Sequence, residues 1–183
     1  ESSFLDLKPQ GALNEDLLNS KEGIELLITS AYSALQGPNR DMMWVPMTNW
    51  TYGEVRSDNA YKGGSSITDG GDINQMETFV IDATWGNADS KWYQLYCCLQ
   101  RANEALRILN TMSEADMPEL TVRKAEMKVI RAHFYFELCR LFKQIPYLDE
   151  TIDQETYKNI PNNQFSREEI LDKIATDLLE AAK

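Results

Sequence analysis

Histidine is nearly absent from this chain of 183 residues: His133 stands alone, and only three cysteines, Cys97, Cys98 and Cys139, accompany it. Adjacent Cys97 and Cys98 do not readily pair, an odd total leaves any disulfide framework incomplete, and no C-x-x-C occurs, so zinc-ribbon and thioredoxin chemistry are excluded. All three cysteines lie in apolar helical contexts, where free Cys behaves as a small hydrophobe. No apolar run approaches the roughly 18 residues of a membrane span. Lys/Arg clusters are missing too. With 18 Lys and Arg against 29 Asp and Glu, the formal charge is −11. That balance argues against nucleic acid as a partner and against adsorption to anionic lipid, and is neutral toward sugars. The first residues, "ESSFLDLKPQ", lack the basic and apolar regions of a signal peptide. No GxSxG, HExxH, P-loop or dinucleotide fingerprint is present.

What is present is an ordinary globular composition, 43% apolar and 26% charged, in a length that fits one domain or part of one. Apolar periodicity predicts four helices, at about 20–36, 91–112, 119–143 and 167–183. The first carries Ile24, Leu27, Ile28, Ala31, Tyr32 and Leu35 on one stripe and stops at Gly37-Pro38. Ser90 is the expected N-cap of the second, with Trp92, Tyr96, Leu99, Asn103 and Leu106 on one face. The third ends at Ile145-Pro146. The fourth opens with "SREE", in which Ser166 and Glu169 have the spacing of a capping box. The fold class expected is all-α. At "DLLEAAK" an amphipathic stripe is still running, from which we expect the N-terminal part of a longer protein.

The third helix holds the lone histidine and invites a catalytic reading. Its geometry denies one. His133 and Cys139 are six residues apart, about 120° around the axis, and do not form a nucleophile–base pair within that helix. The expectation is a structural histidine held by Glu137, one turn on. Ala125, Val129, Ala132 and Phe136 form one apolar strip, and Ile130, Phe134, Leu138 and Leu141 another, so the helix is expected to be surrounded by others. Glu126 and Arg131, about 140° apart, need partners elsewhere and are expected to link adjacent helices. Asn103, an amide on an apolar stripe, is expected to satisfy backbone groups in a nearby turn. All of these are structural roles.

Between the first two helices runs a segment of about fifty residues, 38–89, rich in aromatics and glycine. Connections of this length within a compact domain are usually functional or disordered, and so many large rings speak against disorder. "DGGDIN", 69–74, lacks EF-hand spacing and reads as a glycine turn; no metal or other cofactor is expected. "NWT" at 49–51 fits the short N-glycosylation pattern. Trp44, Trp50, Tyr52, Tyr61 and Trp85 are interleaved with Arg56, Asp58, Asn59 and other planar polar groups. Flat rings pack on the C–H face of a pyranose while amide, carboxylate and guanidinium groups take its hydroxyls. These residues are the candidate ligand contacts. The bland reading is that the rings only pin the loop to the helices.

The order of these pieces resembles the N-terminal half of the SusD/RagB family of outer-membrane nutrient-binding lipoproteins. "FLDLKP" (4–9) resembles the family's mature start after its lipidated cysteine, and "SKEGIELLITSAYSAL" (20–35) its first helix. "EVRSDNAY" (54–61) is similar to the acidic motif of the following loop, and "WYQLYCCLQRANEAL" (92–106) to the Tyr…Ala-Asn helix. "AEMKVIRAHFYFELCRLFKQIPYL" (125–148) is similar to the family signature, Ala-Glu, Arg-Ala, Tyr-Phe-x-Leu and an aliphatic residue before Pro146, with Gln144 where a glycine is usual. The resemblance implies tetratricopeptide-like helix pairs as scaffold, a lipid anchor not present in this chain, and a cell-surface location on the outer membrane. It further implies a non-enzymatic partner of a SusC-like TonB-dependent transporter, to which members deliver glycans or, in some cases, peptides. Ligand surfaces in the family draw on the helix 1–2 loop and on a C-terminal half that this chain lacks. A helical-repeat adaptor for protein contacts is the alternative, and a glycoside hydrolase fragment ranks last because no acid pair stands out.

Overall fold

In a computed structural model, residues 20–36 and 49–183 are described. Trp44 lies outside them. Among the described residues there is no strand, and the architecture is all-α. The principal helices are α1 (Lys21–Ser33), α2 (Gly71–Glu77), α3 (Gly86–Leu109), α4 (Leu120–Leu141) and α5 (Arg167–Ala181). A single π-helical turn spans Thr51–Val55, and 3₁₀ turns span Ala34–Gln36 and Gln154–Asn159.

Sequence chemistry sets the helix ends where it is strong. Ser20 Oγ accepts the Gly23 N–H at 3.0 Å to cap α1. Ser166 and Glu169 form both bonds of a capping box on α5, at 3.2 and 2.7 Å. Helix α3 departs from expectation: it starts at Gly86, and Ser90 lies inside it instead of capping it. The five residues "GNADS" carry no apolar repeat, so periodicity becomes visible only at Trp92. Trp85 is the N-cap, without a side-chain bond. At the other end of α4, Phe142 turns extended (φ −119°, ψ 139°), ending the helix two residues before Lys143.

The helices pack in sequence, α1 on α3, α3 on α4 and α4 on α5. Cross-links give the directions. Arg101 on α3 reaches Ser30 while Cys98, a turn earlier, reaches the Ala34 carbonyl, so α1 and α3 run antiparallel. Arg131 meets Asp177 and Lys128 meets Glu180, so α4 and α5 do too. One continuous core runs through Ile24 and Ile28, Leu95, Leu99 and Leu106, Phe134 and Leu138, to Ile170 and Ile174.

Two expectations for α4 fail. The strip of Ala125, Val129, Ala132 and Phe136 is not enclosed: Val129 and Phe136 are 46% and 47% exposed, so the helix is buried on one broad side only. Glu137 does not hold His133. Its carboxylate accepts from Arg140 at 2.8 Å and from Asn49 at 2.9 Å, and His133 Nε2 is buried with no partner among the described residues. The His133 ring instead meets Phe134 edge-on at 5.2 Å. Glu126 pairs with Arg123 on its own helix and also meets the Tyr32 hydroxyl of α1, while Arg123 forks onto Glu25 of α1, so both residues link the two helices.

The segment from Ile145 to Glu150 lies against α3 and α4 without regular structure, and its backbone is held by side chains. Tyr96 donates to the Pro146 carbonyl at 2.8 Å, and Asn103 Nδ2 donates to the Leu148 carbonyl at 2.8 Å. The Tyr135 hydroxyl donates to the same carbonyl at 2.7 Å and accepts the Leu148 N–H. Arg131, almost wholly buried, grips Asp177 with two bonds of 2.7 Å and pairs with Glu150. Burial opposes the guanidinium charge, yet the Asp177 hydrogen bonds and the nearby carboxylates hold its pKa above the ordinary arginine value. Removing one partner of such a pair strands the others. We expect Arg131→Met to lower unfolding free energy in urea by about 3–5 kcal/mol, and Arg131→Met with Asp177→Leu to recover part of that loss.

Candidate functional site

The loop before α3 is organised around a lysine. Lys62 is 8% exposed, and its ammonium donates to the carbonyls of Gly63 (2.9 Å), Ser66 (2.9 Å) and Asp69 (2.6 Å). These are oxygens a cation would seek, and the ammonium supplies the positive charge itself. "DGGDIN" is accordingly the start of α2, with Gly70 left-handed (φ +70°) at its N-cap. Among the described residues no cluster of metal-ligating side chains occurs. Asp69 accepts the Ser65 N–H at 2.9 Å, which lowers its carboxyl pKa. Gly64 has φ +87°, and a Cβ there would sit 2.8 Å from Asp69 Oδ2. The turn therefore requires glycine.

Helix α2 ends in a Schellman pattern, with Val80 N–H on the Gln75 carbonyl and Phe79 N–H on that of Met76. The left-handed position is filled by Phe79 (φ 61°), not glycine. Arg56 lies over the Phe79 ring at 4.0 Å and donates to the Met76 carbonyl at 3.2 Å. Asp58 is the other left-handed non-glycine (φ 63°), a conformation Asp tolerates through local hydrogen bonding of its short side chain.

A second buried lysine joins the loop to the helices. Lys91, 1% exposed, donates to Asn49 Oδ1 at 3.3 Å, and Asn49 in turn donates to Glu137. Its ammonium also faces the Tyr52 ring at 5.3 Å. Burial lowers its pKa to about 8, against the attraction of Glu137.

The rings named from sequence divide into two groups. Tyr52 and Trp85 pack edge to face at 5.9 Å; the Tyr52 hydroxyl donates to the Asn87 carbonyl, and burial raises its pKa to about 12. Trp85 is 8% exposed. These two rings and Arg56 brace the loop. Trp50 and Tyr61, by contrast, are 38% and 72% exposed, and Asp58 and Asn59 also face solvent. Near the brace, Asp72, Asp82, Thr84, Trp85 and Asn87 line a hollow of about 340 Å³. Trp85 Nε1 and Asn87 Nδ2 are buried with no acceptor among the described residues, at the N-terminus of a 24-residue helix. Sequence reasoning missed Lys62, Lys91 and Asn87. Lysines are almost never buried, so only the bracketing glycines of the loop hinted at a cage.

A family model for SusD-like proteins, described as starch-binding and associating with the outer membrane, matches residues 3–183. The chain belongs to the SusD-like family. A solved laminarin-binding SusD-like protein superposes with a TM-score of 0.69 at 22% identity, over 88% of this chain and 33% of that one. At that identity the likeness is one of fold. This chain thus spans about a third of the length of that SusD-like structure. No curated relative matches it by sequence.

Two measurements test the loop's construction. Gly64→Ala should lower stability by about 1–3 kcal/mol in chemical denaturation, since it adds positive-φ strain to a contact with Asp69. For Lys91 the sign follows from its lowered pKa. Between about 8, the folded value, and 10.5, the ordinary value, the unfolded chain holds a proton that the folded chain does not. Wild-type stability measured against Lys91→Met should therefore rise across that window and be lowest, relative to the variant, below pH 8.

Proposed function

We propose that this chain is the N-terminal part of a non-enzymatic, cell-surface glycan-binding protein of the outer membrane that passes saccharide to a SusC-like TonB-dependent transporter. Family membership supports the ligand class, and the laminarin-binding relative is one member with such a ligand. The observation that carries the reading to this chain is the division of the loop's rings. Tyr52 and Trp85 are consumed in bracing, and the braced loop displays Trp50 and Tyr61 with Asp58 and Asn59. A ring held out from a fixed backbone stacks on a sugar with little ordering cost. Asp58 and Asn59 supply acceptors and donors for hydroxyls, and Trp44, from the same loop, belongs with them in the proposal. The unpartnered N–H groups of Trp85 and Asn87 mark the adjoining helix end as rich in donors. Tetratricopeptide-like pairing of the helices, with a lipid anchor outside this chain, completes the picture as a scaffold held at the membrane.

Protein contact is favoured by one observation, the exposed Val129 and Phe136 strip of α4, which suits a transporter or another part of the same protein. Titration calorimetry of the intact protein against a panel of neutral polysaccharides tests the main reading. Binding should weaken about tenfold in Trp50→Ala and in Tyr61→Ala, in line with the loss of a stacking ring. Affinity unchanged in both variants would refute the site. Co-purification of a transporter with no measurable glycan affinity would favour the adaptor instead.

A further inference from the structure

One flank of α3 carries a second aromatic surface, distinct from the braced loop, in which Tyr93 is exposed and Trp92 and Tyr96 are half-buried against the core. Trp92, Tyr93 and Tyr96 recur on it at helical spacing, and the 145–150 segment and the 3₁₀ turn with Tyr157 run alongside. Together they enclose an open groove of about 790 Å³, within the range of small-ligand sites.

Its aromatic wall is preorganised. Trp92 is held edge-on by Phe142 at 4.9 Å and tilted against Tyr96 at 5.0 Å. Tyr96 is itself fixed by its bond to the Pro146 carbonyl. Tyr93 is 67% exposed, and its hydroxyl meets Cys97 one turn on.

The charge of the groove is opposite to that of the chain. Arg101 and Lys158 are the charged residues lining it, and no Asp or Glu does so. Arg101 donates to the Ser30 carbonyl at 3.2 Å and to Ser33 Oγ at 3.1 Å, both neutral, and no carboxylate pairs with it among the described residues. Lys158 is exposed and makes no ion pair among the described residues. In a protein of formal charge −11, two cations without an ion pair among the described residues, beside an aromatic wall, are a local reversal. The neighbouring hollow sharpens the contrast. It shares Gln100 and Tyr157 with the groove, yet Glu104, Glu150, Asp153 and Glu155 line it against one cation, Arg107, which pairs with Glu104. An anion is repelled there and attracted on the other side of the shared residues.

We propose that this groove binds a saccharide unit bearing an anionic group, a uronate or a sulfated sugar, with its ring face on Tyr93 and Trp92 and its charge toward Arg101 and Lys158. The proposal rests on the glycan-binding reading above and adds a surface and a substrate class to it.

Calorimetry of the intact protein tests it with two matched pairs: tetragalacturonate against its methyl ester, and a sulfated galactotetraose against its desulfated counterpart. At least one anionic member should bind about tenfold more tightly than its neutral partner. That preference should fall to about threefold or less in Lys158→Gln or in 0.5 M salt (about 0.5 M, beyond the reach of exposed charges). Tyr93→Ala should weaken both members of the pair about tenfold. Both side chains are exposed, so neither substitution disturbs the core, and circular dichroism checks this. Equal binding within each pair, binding unchanged by Tyr93→Ala and Lys158→Gln, or tighter binding of a tetra-aspartate peptide would each overturn the proposal. The two readings fail separately. A neutral glucan bound through Trp50, with no anionic preference, leaves the first standing and removes the second; no saccharide bound at all removes both.

Discussion

Everything in this structure depends on how six residues outside any helix, Ile145 to Glu150, are tied to the helices beneath them. The segment has no strand partner, so its buried backbone groups must be met by side chains or left unmet at a cost of about 1–3 kcal/mol each. Tyr96 and Asn103 from α3 and Tyr135 from α4 meet them, while Arg131 takes Glu150 and Asp177 together. Arg131 also approaches Asn103 Oδ1 at 3.5 Å, joining the two sets of contacts. Helices α3, α4 and α5 are thereby fixed around one polar knot, with Tyr135 stacked on Tyr147 at 4.6 Å inside the core. The motif residues most visible in the sequence are the ones that tie it, which explains why a helix with a lone histidine and a cysteine turns out to be scaffold.

The same economy governs the loop. A pair of buried lysines supplements the small apolar core of the connection, which comprises Val55, Ile73, Met76 and Trp85: Lys62 gathers three carbonyls, and Lys91 reaches Asn49 and the ring of Tyr52. Desolvating an ammonium is costly. Carbonyl dipoles and a ring face offset that cost only if the backbone stays in place, so the described part of the loop, residues 49–85, is held to a narrow set of conformations. That rigidity lets Trp50 and Tyr61 stand exposed without collapsing onto the helices.

How far the sequence foretells this depends on the kind of signal. Helices α1, α4 and α5 announce themselves by periodicity, and capping chemistry marks the starts of α1, through Ser20, and α5, through Ser166 and Glu169. The start of α3 is hidden because Gly86 to Ser90 carry no apolar repeat. Seven-residue α2 and the single π turn are too short for a period to emerge. Asn103 is legible as a backbone partner because an amide on an apolar stripe needs one. Val129 and Phe136 show the limit of the method: their spacing says they are apolar, and nothing in it says what covers them. Nor does an aromatic count separate Tyr52 and Trp85, which brace, from Trp50 and Tyr61, which do not. That division arises from contacts as distant as Tyr52 with Asn87.

Lys62 holds its turn by main-chain oxygens alone. At the tip of that turn the Ile67 side chain faces solvent, while Ser65 reaches Asp69 and Thr68 meets Ser66 by exposed hydrogen bonds that do not involve the lysine. Residues there can be exchanged without altering the path of the chain, whereas Lys62 and Gly64 cannot. A loop so divided separates the residues that set its path from those that set the chemistry of its outer edge, so the second can change while the first stays fixed.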